Sequence, residues 1–371
     1  MKFSSLGKLL LFVCFTAAFC NGCWDRKEFN QLAIAQTIAV DYEDGEYQLT
    51  VQLLMPNTAE ETISSKNIWI IDGKGKSVGD AMENLALRAP RELYLNHLDI
   101  VLLGEGLMKQ DVGQGLEYLM KQHVLRRRTS LLATEGRAGD IVQAQSDLAE
   151  VDIYYLANLI RDQRRHVKES ETIINDYYIA MDNHVQETLV IPKVALAGEK
   201  EIKMAGAALI RDRKLLSWVD QEWLSTYFWI TGGKEIVTLQ NVGAQHYDVT
   251  LEVRKEKYKW ELLSKEPLQV EVTFRGTLYM TENDKAAEGL SLDELEAFNE
   301  SMKKVVEAEL TSRIEQDIAQ MQEQGADILH LGRWLYAWHP DLMPEETWAE
   351  AFSKIKIAVK METNLELYEL K

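Results

Sequence analysis

The first 23 residues constrain the rest of the chain most strongly. Lys2 and Lys8 carry the only charges in residues 1 to 20, and Lys8 precedes the apolar run LLLFVCFTAAFC. This run has the length of a signal-peptide core and is shorter than the roughly 20 residues that a transmembrane helix needs. Gly22 then precedes Cys23. We therefore predict a bacterial lipoprotein signal, cleaved before Cys23, whose thiol then carries a diacylglyceryl group.

Two alternatives remain for the same stretch, because Cys20 and Cys23 also form a Cys-x-x-Cys pattern. A redox pair needs these thiols at the N-terminus of a helix that follows a strand, whereas here they follow a signal-like segment. An uncleaved segment that stays in the membrane is the second alternative. The lipoprotein interpretation is favoured over both.

Cleavage before Cys23 removes Cys14 and Cys20, so the mature chain cannot form an internal disulfide and its fold must depend on its hydrophobic cores. It keeps all 59 acidic residues and, of 41 basic residues, loses only Lys2 and Lys8, which gives a formal net charge of −20. Such a charge disfavours nucleic acid and anionic lipid. We expect membrane contact through the lipid on Cys23 or through a protein partner.

The length of the mature chain predicts two or three domains, since one core rarely serves so many residues. Pro192 to Lys203 is short and non-periodic and is the best boundary. The predicted fold class is α+β, with mixed β-sheets, flanking helices and a long helix near the C-terminus. The predicted division is a signal peptide in residues 1–22, an N-terminal α/β domain in 23–195, a middle β-rich domain in 200–285 and a C-terminal α+β domain in 286–371.

Three local patterns predict elements within these domains. Asp44-Gly45 between two β-branched runs predicts a hairpin. Apolar residues at spacings of three and four predict a long helix from Leu292 to Gln324, with Ser291 as its N-cap and Glu294 completing a capping box. Alternating apolar residues and lysines from Lys354 to Met361 predict an edge strand.

No pattern in the sequence indicates catalysis, a metal or a cofactor. The GKGKS stretch fails the P-loop pattern, since Ile70 stands where its first glycine belongs. Asp182, Asn183 and His184 form the nearest polar cluster, and a loop or helix cap is the favoured interpretation. We therefore predict no catalytic residues, no metal ligands, no cofactor and no enzymatic activity.

Two surface patterns are ambiguous. The run Arg126 to Arg128 is compatible with an anion site, although a solvated strand edge is the favoured interpretation. Trp223, Tyr227, Phe228 and Trp229 form an aromatic cluster that could lie at a membrane or a partner surface. Packing in the protein's own core is favoured for it.

The stretch CWDRKEFNQLAIAQTIAVDYEDGEYQLTVQ resembles the start of the Ger(x)C family, the C subunits of nutrient germinant receptors in endospore-forming bacteria. The resemblance continues at MAGAALIRDRKLLSWVDQE and at GADILHLGRWLYAWHPDLMPEETWAEAFSKIKIAVKMETNLEL. It therefore extends over essentially the whole mature chain.

This resemblance implies a non-catalytic lipoprotein on the outer face of the spore inner membrane, acting with an integral-membrane A subunit and a multi-span B subunit. It implies a three-domain α+β arrangement. Cys23 would tether the chain, and Trp24 would lie at the membrane interface. A solute-binding lipoprotein that feeds a transporter is the alternative function, and a surface hydrolase is weakened by the missing nucleophile and metal patterns.

Overall fold

The computed structural model describes residues 31–55, 68–121, 125–148, 156–159, 171–181, 185, 187–198, 201–224, 227, 235–242, 247–283, 291–344 and 346–367. The strands are β1 Leu32–Glu43, β2 Glu46–Leu54, β3 Ile68–Gly75, β4 Glu92–Tyr94, β5 Ile100–Gly104, β6 Ser130–Thr134, β7 Thr172–Ile173, β8 Leu189–Leu196, β9 Ile202–Arg211, β10 Lys214–Val219, β11 Glu235–Val242, β12 Tyr247–Ser264, β13 Gln269–Asn283 and β14 Lys356–Leu367. The helices are α1 Val78–Ala86, α2 Glu105–Gln110, α3 Val112–Lys121, α4 Ala138–Leu148, α5 Ile174–Met181, α6 Leu292–Glu323, α7 Leu331–Trp338 and α8 Trp348–Phe352, with a 3-10 turn at Pro340–Leu342.

The first sheet has the strand order β10-β9-β8-β6-β5-β1-β2-β3, with β4 beside β1 and β7 beside β6. Strand β1 is parallel to β4 and β5, β5 is parallel to β6, and β6 to β8, while the outer neighbours are antiparallel. The sheet is therefore mixed, as predicted. Because its central strands are parallel, their beginnings lie at one end of the sheet and their carboxyl ends at the other.

Helices cover both faces of this sheet. Alternate residues of β1 point to opposite faces, so Ile38 and Val40 join a core with α1, α2, α3 and α5, while Ala39 joins a second core with α4. Strands buried on both faces are uniformly apolar, which explains the short run IVLLG of β5.

Asp41 fixes the start of α4 against the sheet. Its carboxylate oxygens accept hydrogen bonds from the backbone N–H groups of Ala138 (2.8 Å) and Gly139 (2.9 Å). These are two of the four N–H groups that a helix leaves unpaired at its N-terminus. Gly104 is required beside this carboxylate, because a Cβ there would lie 1.9 Å from the Asp41 Oδ1 atom.

The predicted hairpin at Asp44-Gly45 is confirmed. Both residues have positive φ, 52° and 79°, and Glu43 pairs with Glu46 across the turn. Two central residues with positive φ define a type I′ turn, whose twist matches that of the flanking strands.

The second sheet has the order β11-β12-β13-β14 and packs against the long helix α6. The predicted helix is confirmed, and the Ser291–Glu294 capping box is present. Its predicted apolar stripe supplies Val306, Leu310 and Ile314 to the core, and β14 lies at the sheet edge as predicted.

The hairpin β9–β10 joins the two parts of the molecule. It belongs to the first sheet, where β9 pairs with β8, although the predicted division assigns it to a middle domain. Ala208 and Ile210 of β9 face the first core, whereas Ala207 and Leu209 face the core that contains α6. The three-domain division itself stays a prediction.

Candidate functional site

The two predicted membrane residues, Cys23 and Trp24, lie outside the described residues, as does the predicted signal peptide in residues 1–22 and the cluster Asp182 to His184. Strand β1 begins at Leu32, nine residues after Cys23. Nine residues span at most about 32 Å. The end of the first sheet at which β1 begins therefore lies within about 32 Å of the predicted lipid-bearing residue.

We call this the Leu32 end of the sheet. Leu32 and Ile34 of β1 pair with Glu92 and Tyr94 of β4, and Ile34 also pairs with Leu54 of β2. The apolar members of this set form a small cluster of their own. Trp69 of β3, which pairs with Leu53, lies at the same end and is 49% exposed.

Three arginines extend the Leu32 end toward β6. Arg126 Nη2 lies 3.0 Å from His97 Nδ1, and the His97 ring is 5.5 Å from that of Tyr94. Arg127 donates to Asn175 Oδ1 (3.2 Å), and its guanidinium lies 5.7 Å from the Tyr178 ring centroid. All three side chains, including that of Arg128, are exposed. In the described part of the chain, none of the three side chains contacts a carboxylate.

The opposite end, which we call the Gly45 end, contains the β1–β2 turn and the carboxyl ends of β5 and β6. Here cations contact carboxylates in four pairs: Lys76 with Glu46 at 3.0 Å, Lys109 with Glu105 at 2.7 Å, Arg137 with Glu43 at 3.8 Å and Lys193 with Glu135 at 2.5 Å. Four of the positive charges at this end are therefore locally compensated.

A buried carboxylate, Asp327, organises the junction between the two parts of the molecule. It accepts hydrogen bonds from the backbone N–H groups of Leu331 (3.0 Å) and Gly332 (2.7 Å) and from Trp348 Nε1 (3.0 Å). Burial raises the pKa of the Asp327 carboxyl, and these donors oppose the rise. The carboxylate fixes the start of α7 against α8.

Two arginines hold the parts together beside it. Arg333 of α7 binds both carboxylate oxygens of Glu187, whose side chain is 1% exposed, with Nε 2.6 Å from Oε1. The hydrogen bond to Glu187 raises the pKa of Arg333. Arg211 of β9 donates to the carbonyl groups of Gln324 (2.7 Å) and Gly325 (2.8 Å), where α6 ends. Polar contacts thus fix the relative position of the two parts.

A cavity of about 420 Å³ lies at this junction. Its lining includes the carboxylates of Glu171 and Asp176 and the side chains of Tyr258, His330 and Arg333. The volume is typical of small-molecule pockets. Among the described residues, no group of three His, Cys, Asp or Glu side chains is placed to hold a metal ion.

The interpretation of the aromatic cluster as core is confirmed for Trp223, which is 6% exposed and stacks on Tyr227 at 5.5 Å. Phe228 and Trp229 lie outside the described residues. In the described part of the chain, no helix combines the length and the apolar character needed to cross a bilayer.

Sequence reasoning missed the residues that build the junction. Glu187 and Arg333 are 146 positions apart, and nothing near either residue predicts the pair. Asp327 gives only a weak signal, because the stretch GADILHLG that contains it indicates a family resemblance and no particular contact. A carboxylate four residues before a helix start is compatible with capping, although it precedes the N-cap position itself.

The comparisons with known proteins agree on one family. Residues 25–196 match the spore germination protein N-terminal domain, and residues 205–368 match the spore germination B3/GerAC-like C-terminal domain. Spore germination protein B3 of Bacillus subtilis (strain 168) is 26% identical over 370 residues, which cover 95% of this chain and 94% of that protein. Spore germination protein A3 of the same organism is 26% identical over 216 residues, 55% of each chain.

A solved structure has the same fold. The crystal structure of the GerBC protein superposes with a TM-score of 0.55 at 20% identity and covers 91% of this chain and 99% of that chain. Two consecutive family domains together span nearly the whole of residues 25–368, and a relative is matched over 94% of its length. The chain belongs to the Ger(x)C family of spore germination proteins.

Proposed function

We propose that the protein is a lipid-anchored, non-catalytic subunit of a spore nutrient germinant receptor, acting with integral-membrane A and B subunits at the outer face of the spore inner membrane. One observation carries the proposal: the family's N-terminal domain starts at residue 25, two residues after Cys23. The segment before Cys23 is therefore outside the family domain, as a removable signal would be.

The proposed mechanism is positional. A single acyl chain of myristoyl length binds a membrane only marginally, so a diacylglyceryl group with a further acyl chain on Cys23 would give a stable anchor. Trp24 would follow directly at the interface, where tryptophan is enriched. The anchor would then hold β1, and with it the first sheet, within about 32 Å of the bilayer.

Contacts at the junction connect the tethered first sheet to the second part of the molecule. Glu187, Arg333 and Arg211 connect the first sheet to α6 and α7, so a constraint on β1 is passed to both parts. Helix α7 also exposes Tyr336 and Trp338, the latter 72% exposed. Exposed tryptophan and tyrosine are typical anchors of protein interfaces, so this helix is a suitable contact for a membrane subunit.

Replacing Cys23 by alanine tests the proposal. Cys23→Ala should leave the fold unchanged, because the described cores begin at Leu32, and should move the protein from the membrane fraction to the soluble fraction. It should also lose co-purification with the co-encoded membrane subunits. The matched control is Cys20→Ala, which removes the other thiol of the pair and should leave retention intact.

Mass spectrometry of the natural N-terminus gives an independent measurement. A diacylated Cys23 as first residue is expected. An unmodified Cys23, a Cys20–Cys23 disulfide, or a Cys23→Ala protein that stays in the membrane fraction would contradict the proposal.

A further inference from the structure

We propose that the Leu32 end of the first sheet is a membrane-facing surface at which Arg126, Arg127 and Arg128 bind the phosphate groups of anionic phospholipids. This inference rests on the proposed lipid anchor and adds to it the orientation of the protein on the bilayer. A tether alone would allow the chain to rotate freely about Cys23.

The three arginines are connected to the point at which the tethered chain enters the sheet. The chain reaches the sheet at Leu32, which pairs with Glu92, and two residues further Ile34 pairs with Tyr94. The Tyr94 ring contacts His97, which contacts Arg126 at 3.0 Å. A continuous series of contacts therefore connects the start of β1 with the arginines. An anchor of at most about 32 Å allows this end to reach the bilayer, and contacts of the surface itself are needed to hold it there.

The three arginines carry exposed positive charges. Within the ranges that the structure describes, none of the three guanidinium groups forms an ion pair with a carboxylate, and Arg128 makes no polar side-chain contact. Arginine binds phosphate through paired N–H donors, so exposed guanidinium groups without carboxylate partners are suited to headgroups. The contacts of Arg126 with His97 and of Arg127 with Asn175 and the Tyr178 ring position these two side chains and bring no carboxylate to them.

The two ends of the first sheet differ in how their positive charges are paired. At the Gly45 end, Lys76, Lys109, Arg137 and Lys193 are each paired with a carboxylate. Strand β1 separates the ends by about 36 Å, which exceeds the Debye length of about 8 Å at physiological salt. A membrane at one end therefore senses the charges of that end rather than the net charge of −20 of the whole mature chain. The expectation that net charge disfavours an anionic leaflet does not apply to this surface.

The remaining groups at the Leu32 end fit the same assignment. Trp69 is half exposed there, four strands away from β6 and thus about 19 Å across the sheet. Tryptophan prefers the headgroup region. Acidic residues at this end include Glu92, Asp99, Glu171 and Asp176; Glu171 accepts a hydrogen bond from Ser130 Oγ at the start of β6, and Asp176 accepts one from the backbone N–H of Ile173. Glu92 and Asp99 also have contacts of their own.

The experiment tethers the mature chain through its single cysteine, Cys23, to a maleimide-bearing lipid, so that it is independent of natural lipidation. Vesicles contain phosphatidylcholine alone or mixed with phosphatidylglycerol. Amide hydrogen exchange of residues 68–70, 92–98 and 125–129 should slow on the mixed vesicles only, and added salt should reverse the effect.

Charge reversal identifies the groups responsible. Arg126→Glu/Arg127→Glu/Arg128→Glu should abolish this protection, whereas Lys74→Glu/Lys76→Glu/Lys109→Glu, an equal change at the Gly45 end, should retain it. For the untethered Cys23→Ala chain, each reversed arginine should lower partition onto phosphatidylglycerol vesicles at least about fivefold. If the triple variant is unstable, the partition of the single variant Arg128→Glu onto phosphatidylglycerol vesicles is measured instead.

Equal protection on both vesicle types, or equal effects of the two triple variants, would overturn the proposal. Protection that appears only when the membrane subunits are present would also overturn it, by assigning the arginines to a protein partner. If Cys23 is not lipidated naturally, the proposed anchor is overturned but the proposed surface is not, because in this experiment Cys23 is attached to the vesicle by the maleimide-bearing lipid.

Discussion

Two buried aspartates do the same task in the two parts of the molecule, and they do it over very different sequence distances. Asp41 lies on β1 and caps α4 from 97 residues away. Asp327 caps α7 from four residues away and also accepts from Trp348 Nε1. Both carboxyls are almost fully removed from solvent, and burial raises the pKa of each.

The difference concerns what each carboxylate joins. Asp327 organises a local turn and one helix contact, so its loss affects the geometry of α7, which carries Arg333. Asp41 connects β1 to α4, the helix that packs on the Ala39 face of the first sheet. It therefore sets the position of the helix layer on that face. Removing each carboxylate separately tests whether the number of hydrogen bonds or the sequence distance determines the loss of stability.

The largest effect is expected for Asp327→Ala. Three donors, the N–H groups of Leu331 and Gly332 and Trp348 Nε1, lose a buried acceptor, and each unpaired buried donor costs about 1–3 kcal/mol. We expect the free energy of unfolding to fall by about 3 kcal/mol or more, measured by urea denaturation. The control is Asp341→Ala, a nearby exposed aspartate paired with Lys265, which should leave the urea midpoint nearly unchanged. A similar midpoint for both variants would show that the Asp327 hydrogen bonds are not needed.

Asp41→Asn should have a smaller effect. The asparagine oxygen can accept from one of the two N–H groups, but its NH₂ group faces the other, so one buried donor remains unpaired, at about 2 kcal/mol. The folded pKa of Asp41 lies above its unfolded value, chiefly through burial. Its protonated form is therefore favoured by folding, and its contribution is fully present below the unfolded pKa and is lost as pH rises through the folded pKa.

The difference in unfolding free energy between wild type and Asp41→Asn should therefore be largest in acid and should narrow as pH rises. Urea denaturation at a series of pH values measures it. A difference that widens with rising pH would mean that the two N–H donors and Arg137 outweigh burial, and that the pKa of Asp41 is lowered.

These two residues also show what the sequence can and cannot predict. The Asp44-Gly45 turn and the helix from Leu292 were predictable, because their signals lie within a few residues of the element. The Arg126 to Arg128 run was visible, but its position at the end of the sheet where β1 begins was not, since the parallel pairing of β1 with β5 and of β5 with β6 is not encoded locally. The role of Asp41 could not be predicted for the same reason, because the sequence around a strand residue does not indicate which distant helix that residue caps.

The smallest effect is expected at the exposed start of α6, where the capping signal is wholly local. Ser291 Oγ accepts from the Glu294 N–H at 3.4 Å, which is long, while Glu294 Oε2 accepts from the Ser291 N–H at 2.9 Å. Water can replace either bond, so Ser291→Ala should lower the free energy of unfolding by only about 0.5 kcal/mol, the lower limit for a lost N-cap. Faster amide exchange confined to the first turn of α6 should accompany it, with Glu294→Gln as the control that preserves the capping pattern. An effect as large as that of Asp327→Ala would mean that burial of the donors does not determine the strength of a helix cap in this protein.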